Sequence, residues 1–238
     1  MRKTYFGKDL LRNSIVTPSL LASILNVKYV NSSALHRIEQ EFQRNGVNIS
    51  RQTMSNLIVK CSQMYFTPFV ERMKQELLSL HVTQSDETPT QVIADSDHPN
   101  SKCYMWVHRS GGFYTRRPIV IYEYQKGRDH QKPLDFYKDY KGILVTDSLQ
   151  QYHLVDKKLA DVTNANCWAH ARRDFADEVK AADKKDPSSV RQSVAYQALQ
   201  KISEFYNADT ELKGISSKER LQKRQELIKP MVEEFLRG

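Results

Sequence analysis

The chain has 238 residues, of which 39% are hydrophobic and 27% charged, and it carries a formal net charge of +8. This length allows one large domain or a small domain with a medium one, and the lack of any run of about 18 apolar residues excludes a membrane-spanning helix. The basic surplus favours a polyanionic partner, nucleic acid before membrane, although many basic domains bind no anion.

The cysteine content indicates the redox compartment. The three cysteines are an odd number, widely spaced and without a Cys-x-x-Cys pair: Cys61, Cys103 and Cys167. This pattern argues against a disulfide scaffold and favours a reducing environment. No apolar signal core follows Met1. We therefore expect a cytoplasmic protein.

Residues 1–80 are predicted to be helical. Thr17 is a good N-cap and Pro18 suits the first helical position, and an apolar stripe follows at helical spacing. Further helices are expected to begin near Ser33, Ser50 and Pro68.

Residues 34–60 have the layout of a helix-turn-helix: an apolar helix, a turn at Gly46 and a second helix capped by Ser50. On the second helix, Arg51 and Gln52 are expected to be exposed and could contact DNA. Packing of two helices without any ligand explains the same pattern.

From about His81 the period of the apolar residues changes from 3.6 to 2, which indicates strands. Five strands are predicted: Val82–Asp86, Cys103–His108, Ile119–Tyr124, Ile143–Asp147 and Val162–Cys167. A turn is predicted over residues 95–100, a hairpin loop at Gly111-Gly112, and a helix over residues 129–140. The predicted order is therefore β-β-β-α-β-α-β.

The chain becomes helical again from Trp168. Helices are predicted over 169–182 and 189–207. A capping box of Ser216 and Glu219 opens a last helix, which Pro230 should kink or divide.

Two of the predicted strands end on an aspartate, Asp86 and Asp147. The second strand is wholly apolar before its aspartate, so the carboxylate would be costly to bury unless something compensates its charge. Carboxylates on neighbouring strands suit Mg²⁺, and a pair of such ions supports phosphoryl transfer. Alternatively, Asp86 caps a turn and Asp147 caps a helix that begins at Ser148.

The segment from Cys167 to Arg173 offers a second candidate site. The Cys-x-x-His spacing of Cys167 and His170 resembles half of a zinc site, but the other half is missing. We favour a strand-to-helix junction in which Trp168 packs, while Arg172 and Arg173 face solvent or a phosphate backbone.

Five motifs follow one another in a specific order: Asp86-Glu87-Thr88-Pro89, Tyr104-Met105-Trp106-Val107, Pro118-Ile119-Val120, Thr146-Asp147 with Tyr152, and Cys167-Trp168-Ala169-His170-Ala171-Arg172-Arg173. This series resembles the transposases of the bacterial insertion-sequence sixty-six family, and the segment Gly46–Thr53 resembles the region upstream of the family's catalytic domain. The resemblance extends from about Pro18 to Gly238, and its first and last motifs are the most specific.

The resemblance implies an RNase H-like fold with a DDE metal site, in which Asp86 corresponds to the first acid and Asp147 to the second. Such enzymes use Mg²⁺ or Mn²⁺, two ions in the intact enzyme, to nick DNA at transposon ends and to join the freed 3′ hydroxyl to target DNA. The implied partner is double-stranded DNA, bound by a homo-oligomer in the bacterial nucleoid, with no membrane and no small-molecule substrate.

The chain departs from the family pattern at the third acid. Family members carry a glutamate in an Asn-Asn-x-x-Glu setting on a later helix, and this chain has no Asn-Asn pair. The third acid is therefore unknown, because nothing in the surroundings of Glu178, Glu204 or Glu233 recommends them. We expect a chain truncated before that acid.

These observations predict an α/β protein with three regions: a helical region over 1–80, an incomplete RNase H-like core with a mixed five-stranded sheet over 81–180, and a helical insertion over 181–238. The predicted function is that of a DDE transposase core. The alternative is a non-catalytic DNA-binding remnant that binds or competes for transposon ends, and a structural domain that binds nothing alone is a third possibility.

Overall fold

A computed structural model describes residues 10–11, 14, 16–92, 102–112, 118–129, 131–147, 150–185, 187 and 190–237. The chain forms two compact units, Met1–Ser79 and Leu80–Gly238. The turn predicted over residues 95–100 and Ser148 lie outside the described residues, and so do residues 113–117, which follow the hairpin loop predicted at Gly111-Gly112.

The first unit is helical, as predicted. It contains α1 (Pro18–Leu25), α2 (Leu35–Arg44), α3 (Arg51–Cys61) and α4 (Thr67–Leu78), with π-helical turns at Asn26–Val30 and Ser62–Phe66. The side chain of Thr17 accepts a hydrogen bond from the backbone N–H of Leu20 at 3.1 Å, which is the expected N-cap of α1. Apolar residues from the first three helices, including Ile24, Ile38 and Met54, form one buried cluster.

A glycine turn joins α2 to α3. Gly46 has a φ of 76°, a left-handed conformation that glycine adopts without a steric penalty. The hydroxyl of Ser50 accepts from the N–H of Thr53 at 3.1 Å, and a carboxylate oxygen of Glu39 on α2 accepts from the N–H of Arg51 at 3.1 Å. Both bonds satisfy backbone donors at the start of α3. The DNA-binding role of this helix pair stays a prediction.

The second unit is built on a mixed sheet of five strands in the order β3-β2-β1-β4-β5. The strands are β1 (Val82–Thr90), β2 (Cys103–Ser110), β3 (Val120–Gln125), β4 (Gly142–Thr146) and β5 (Val162–Asn166). The first three pair antiparallel, whereas β4 is parallel to both β1 and β5. This topology, flanked by helices, confirms the expected RNase H-like α/β fold.

In the part of this unit that the structure describes, the α-helices are α5 (Gln131–Tyr137), α6 (Gln150–Lys158), α7 (Trp168–Lys185), α8 (Val194–Glu211), α9 (Ser217–Lys223) and α10 (Lys229–Phe235). The capping box of Ser216 and Glu219 is present at the start of α9. A π-helical turn, Arg224–Ile228, joins α9 directly to α10, and Pro230 lies in the first turn of α10. Of the helices that the structure describes, none has both the length and the apolarity needed to cross a bilayer.

One prediction about the strands is wrong: β1 does not end at Asp86. Its antiparallel ladder with β2 continues to the pair of Thr90 with Cys103, whereas its described parallel ladder with β4 runs only from Val82 to Gln84. The second half of β1 is therefore held by β2. Pro89 is tolerated there because the side of the strand facing away from β2 has no ladder partner among the described residues.

Gly142 fixes the start of β4. Its φ is 153°, and a Cβ atom at this position would collide with the carbonyl oxygen of His81 and lie 2.8 Å from the hydroxyl of Tyr140. That hydroxyl lies 3.0 Å from the carbonyl oxygens of both His81 and Ile143. The start of β1 and the start of β4 are therefore joined by a close approach that leaves no room for a side chain.

Candidate metal centre

The register of the parallel ladder determines how Asp86 and Asp147 are placed. The ladder pairs Val82 with Ile143 and Gln84 with Val145, an offset of 61 positions. Asp86 and Asp147 are also 61 positions apart in the sequence. Extending the ladder by two residues therefore brings the two aspartates opposite each other, although Asp86 lies within β1 and Asp147 directly follows β4.

The two aspartates form a cluster with a third carboxylate, that of Glu87. One oxygen atom from each of the three residues lies within 4.8 Å of the others. Two ligands of one Mg²⁺ are at most about 4.2 Å apart, since each Mg–O distance is about 2.1 Å. Small side-chain rotations would therefore suffice for coordination, and an all-oxygen donor set suits a hard divalent cation better than a softer metal. The residues fit the metal that the sequence predicted.

The side chains of β1 alternate between two environments. Thr83, Ser85 and Glu87 are buried, whereas Gln84 is half-buried and Asp86 exposed, as expected for a strand with one face against the core. Because Asp86 lies within this regular strand, it does not cap a turn, and that alternative is wrong. The corresponding alternative for Asp147 requires Ser148, which lies outside the described residues.

A cleft of about 180 Å³ opens beside the cluster, and its lining includes Asp86, Arg109, Val145, Cys167 and His170. The last two residues come from the Cys-x-x-His motif. The N–H of Cys167 donates to the carbonyl oxygen of Thr146 at 2.7 Å, which brings the start of α7 to the end of β4. The motif therefore forms a wall of the cleft.

His170 is a site residue whose position the sequence did not reveal. Its Nε2 lies 3.6 Å from Oδ2 of Asp86, and its buried Nδ1 has no hydrogen-bond partner within the part of the chain that the structure describes. Trp168 packs against Phe205 with ring centroids 5.6 Å apart, as expected of a strand-to-helix junction. Among the described residues, Cys167 and His170 belong to no group of three or more potential metal ligands.

Glu87 is held on the buried face of β1 by two residues distant in sequence. Arg128 donates from Nε and from Nη2 to Oε1 of Glu87, at 2.9 and 2.5 Å, and the hydroxyl of Tyr152 donates to Oε2 at 2.9 Å. Partial burial lowers the pKa of Arg128, but the hydrogen bond and the charge of Glu87 outweigh it and raise that pKa above its ordinary value. Burial raises the pKa of Tyr152, so its hydroxyl stays protonated and remains a donor.

A second polar network lies beneath β1. Nδ1 of His108 is 3.0 Å from both the hydroxyl of Ser85 and that of Tyr137, and the Tyr152 hydroxyl lies 3.3 Å from Ser85. Burial raises the pKa of Tyr137, which keeps this phenol neutral as well. These contacts tie α5 and α6 to the same face of β1 that carries Glu87.

The remaining sequence-predicted site residues lie outside this cluster. Arg51 and Gln52 are exposed on α3, and Arg172 and Arg173 are exposed on α7. The glutamates considered as a third acid do not belong to the cluster either. Glu178 is exposed, Glu204 pairs with Lys201 at 3.1 Å, and Glu233 pairs with Lys229 at 3.9 Å.

Together the fold and the cluster define an RNase H-like domain with carboxylates grouped at the centre of its sheet. Residues 13–237 match the profile of the Transposase IS66 family, and the chain therefore belongs to that family.

Curated relatives also match over most of the chain. It is 27% identical over 231 residues to the uncharacterized protein y4qI of Sinorhizobium fredii (strain NBRC 101917 / NGR234), a match that covers 91% of this chain and 40% of the relative. It is 25% identical over 228 residues to the uncharacterized protein y4hP of the same strain, covering 92% of this chain and 41% of that relative. The chain thus spans about two-fifths of the length of these relatives.

Proposed function

We propose that this chain carries part of the catalytic core of a DNA transposase, which cleaves DNA at insertion-sequence ends and transfers the freed strand to target DNA. The observation that carries this proposal is the meeting of Asp86 and Asp147, from neighbouring parallel strands, in one group of carboxylates. Membership of a transposase family supports it.

In this proposal Asp86 and Asp147 bind Mg²⁺ or Mn²⁺. A divalent cation bound between them would activate the attacking oxygen and stabilise the leaving oxygen of a phosphodiester. The chain's own residues prepare the site. His170 contacts the outer oxygen of Asp86, and the open cleft leaves that carboxylate accessible to a phosphate group.

Double-stranded DNA is the proposed partner, and the net charge of +8 favours its approach. We assign Arg172 and Arg173 on α7 to phosphate contacts, and Arg51 and Gln52 on α3 to contacts with a DNA groove. Two transposon ends must be held together during transfer, so we propose that the chain acts as a homo-oligomer on DNA. Each substitution that removes a phosphate contact should reduce, by about one, the steepness of the plot of log binding constant against log salt concentration.

The decisive experiment uses a labelled duplex that carries the ends of the insertion sequence from which the chain derives. A full-length family member that contains this chain should nick the duplex only when Mg²⁺ or Mn²⁺ is present, and Asp86→Asn or Asp147→Asn in that protein should abolish nicking. Asp161→Asn is a matched control, because Asp161 is an exposed carboxylate of the same unit that pairs with Lys141 at 3.0 Å. Full activity of Asp147→Asn would refute the site assignment.

A second candidate function is DNA binding without catalysis. It is favoured by one observation: none of Glu178, Glu204 and Glu233 joins the described cluster as a third acid. This candidate predicts that the chain shifts the duplex in a mobility assay without metal and never cuts it. Metal-dependent nicking by the isolated chain would exclude it.

A further inference from the structure

We infer that Glu87 is a positioning residue, which fixes β1 at the acidic cluster through Arg128 and Tyr152 and does not itself bind the metal. This inference rests on the proposed metal site of Asp86 and Asp147. Glu87 is adjacent to Asp86 in the sequence, and its proximity to the two aspartates alone would suggest a third metal ligand. The inference gives it a different role.

The direction of the side chain is the first argument. Successive residues of a strand point to opposite faces, and Asp86 and Glu87 are successive. The side chain of Asp86 is 53% exposed, whereas that of Glu87 is 0% exposed. Asp86 therefore faces the cleft, and Glu87 faces the interior beneath α6.

The occupation of the two oxygens is the second argument. Oε1 of Glu87 accepts two N–H groups from Arg128, and Oε2 accepts the hydroxyl of Tyr152. A buried carboxylate needs a counter-charge, and Arg128 already provides one. A divalent cation bound to Glu87 would have to lie beside this guanidinium and compete with it.

A direct hydrogen bond links Glu87 to the proposed ligand. The backbone N–H of Glu87 donates to Oδ1 of Asp86 at 2.9 Å. The position of the Glu87 peptide therefore sets the orientation of the Asp86 carboxylate. Arg128 follows β3 and Tyr152 lies on α6, so the side chain of Glu87 ties this peptide to two separate elements of the unit. Releasing the side chain would loosen the peptide and, with it, Asp86.

The test compares Glu87→Gln with Asp147→Asn in the full chain and uses Asp161→Asn as a control. Mn²⁺ affinity is measured by isothermal titration calorimetry well below the unfolding temperature of every variant. Bound Eu³⁺, a hard cation with oxygen preference, reports the number of coordinated waters through its luminescence lifetimes in H₂O and D₂O. Both readouts concern folded protein, so a loss of stability alone would leave them unchanged.

We expect Glu87→Gln to weaken Mn²⁺ binding on the order of tenfold, as is typical when a group that orients a ligand is lost, with the Eu³⁺ water count unchanged. Asp147→Asn should abolish binding or add a water, and Asp161→Asn should match the wild type. If Glu87→Gln fails to fold, Tyr152→Phe removes one anchor without changing any charge and should weaken binding about threefold.

Three results would overturn the inference. An added water in Glu87→Gln would make Glu87 a ligand, while the metal site itself would stand. Unchanged Mn²⁺ affinity in Glu87→Gln, or in Tyr152→Phe where that variant decides the test, would deny any positioning role. A wild-type chain that binds no Mn²⁺ would refute the proposed metal site and the inference together, so the two failures are distinguishable.

Discussion

Nε2 of His170 lies 3.6 Å from Oδ2 of Asp86, which brings the first turn of α7 against the middle of β1. This distance is longer than a direct hydrogen bond, but it is short enough for the imidazole to restrict the carboxylate. The other oxygen of Asp86 is held by the backbone N–H of Glu87. Asp86 is thus oriented from two sides before any cation arrives.

We therefore predict that His170→Ala weakens Mn²⁺ binding on the order of tenfold, because the imidazole that restricts the Asp86 carboxylate is lost. Calorimetric titration measures this effect. His36→Ala is the control: it removes an exposed histidine from α2, and it should bind Mn²⁺ with the same affinity as the wild type. Equal affinities for wild type and His170→Ala would show that the imidazole plays no part.

Arg128→Gln tests the ion pair between Arg128 and the buried carboxylate of Glu87. The substitution leaves a carboxylate that is 0% exposed without its cation, so the free energy of unfolding should fall by about 3 kcal/mol. Lys141→Gln is the matched control: its pair with Asp161 is exposed on both sides, and its loss should cost less than about 1 kcal/mol. Urea unfolding followed by circular dichroism measures both. Similar losses for the two variants would contradict the burial argument.

Gly142→Ala tests the close approach between β1 and β4. A methyl group at this position meets the carbonyl oxygen of His81 and the hydroxyl of Tyr140, in a backbone conformation that alanine rarely adopts. The expected loss in unfolding free energy is about 3 kcal/mol or more. Gly112→Ala is the control, because a Cβ there meets nothing within 4 Å. Thermal unfolding measures the effect, and equal melting temperatures for the two variants would refute the prediction.

The pair of Asp209 and Arg224 should make stability depend on pH. Arg224 donates from Nε to Oδ1 at 2.6 Å and from Nη2 to Oδ2 at 2.9 Å, and this hydrogen bonding lowers the pKa of Asp209. Because the folded pKa lies below the unfolded value of about 3.9, the stabilisation is present above that value and disappears as the pH falls through the folded pKa.

Asp209→Asn should therefore destabilise the chain at pH 7 by about 0.5–1 kcal/mol, the range for a partly exposed pair with good geometry. The difference from the wild type should shrink as the pH falls from 4 to 3. Denaturant unfolding at pH 7, 4 and 3 measures it, and Asp183→Asn on α7 serves as an exposed control. A difference that stayed constant down to pH 3 would count against the role of Arg224.

The sheet could be predicted from the sequence because its signals are local. The apolar run before Asp147 predicts a strand from a stretch of only about five residues, and the alternating pattern of β2 also predicts a strand from neighbouring residues alone. Once the strands before Asp86 and Asp147 were recognised, the spacing of the aspartates determined that they could meet. The length of β1 could not be predicted in this way, since Thr88 and Pro89 are strand residues only because β2 pairs with them.

The surroundings of the site could not be predicted because they depend on long-range contacts. Glu87 is adjacent to Asp86, yet its partners Arg128 and Tyr152 lie 41 and 65 positions away. Nothing near Glu87 in the sequence announces that its carboxylate is buried. His170 was visible as part of a motif, but its contact with Asp86 depends on the packing of α7 beside β4, which no local pattern encodes.

The strand β1 is longer than β4, so only the first part of β1 pairs with β4 among the described residues. The antiparallel ladder of β1 with β2 continues to Thr90, whereas the described parallel ladder of β1 with β4 ends at the pair of Gln84 with Val145. Asp86 and Asp147 each lie two residues beyond the last described pair of this ladder, one on β1 and the other after β4. A cation bound to both aspartates would link β1 to the end of β4, so the free energy of unfolding should rise with the concentration of the metal.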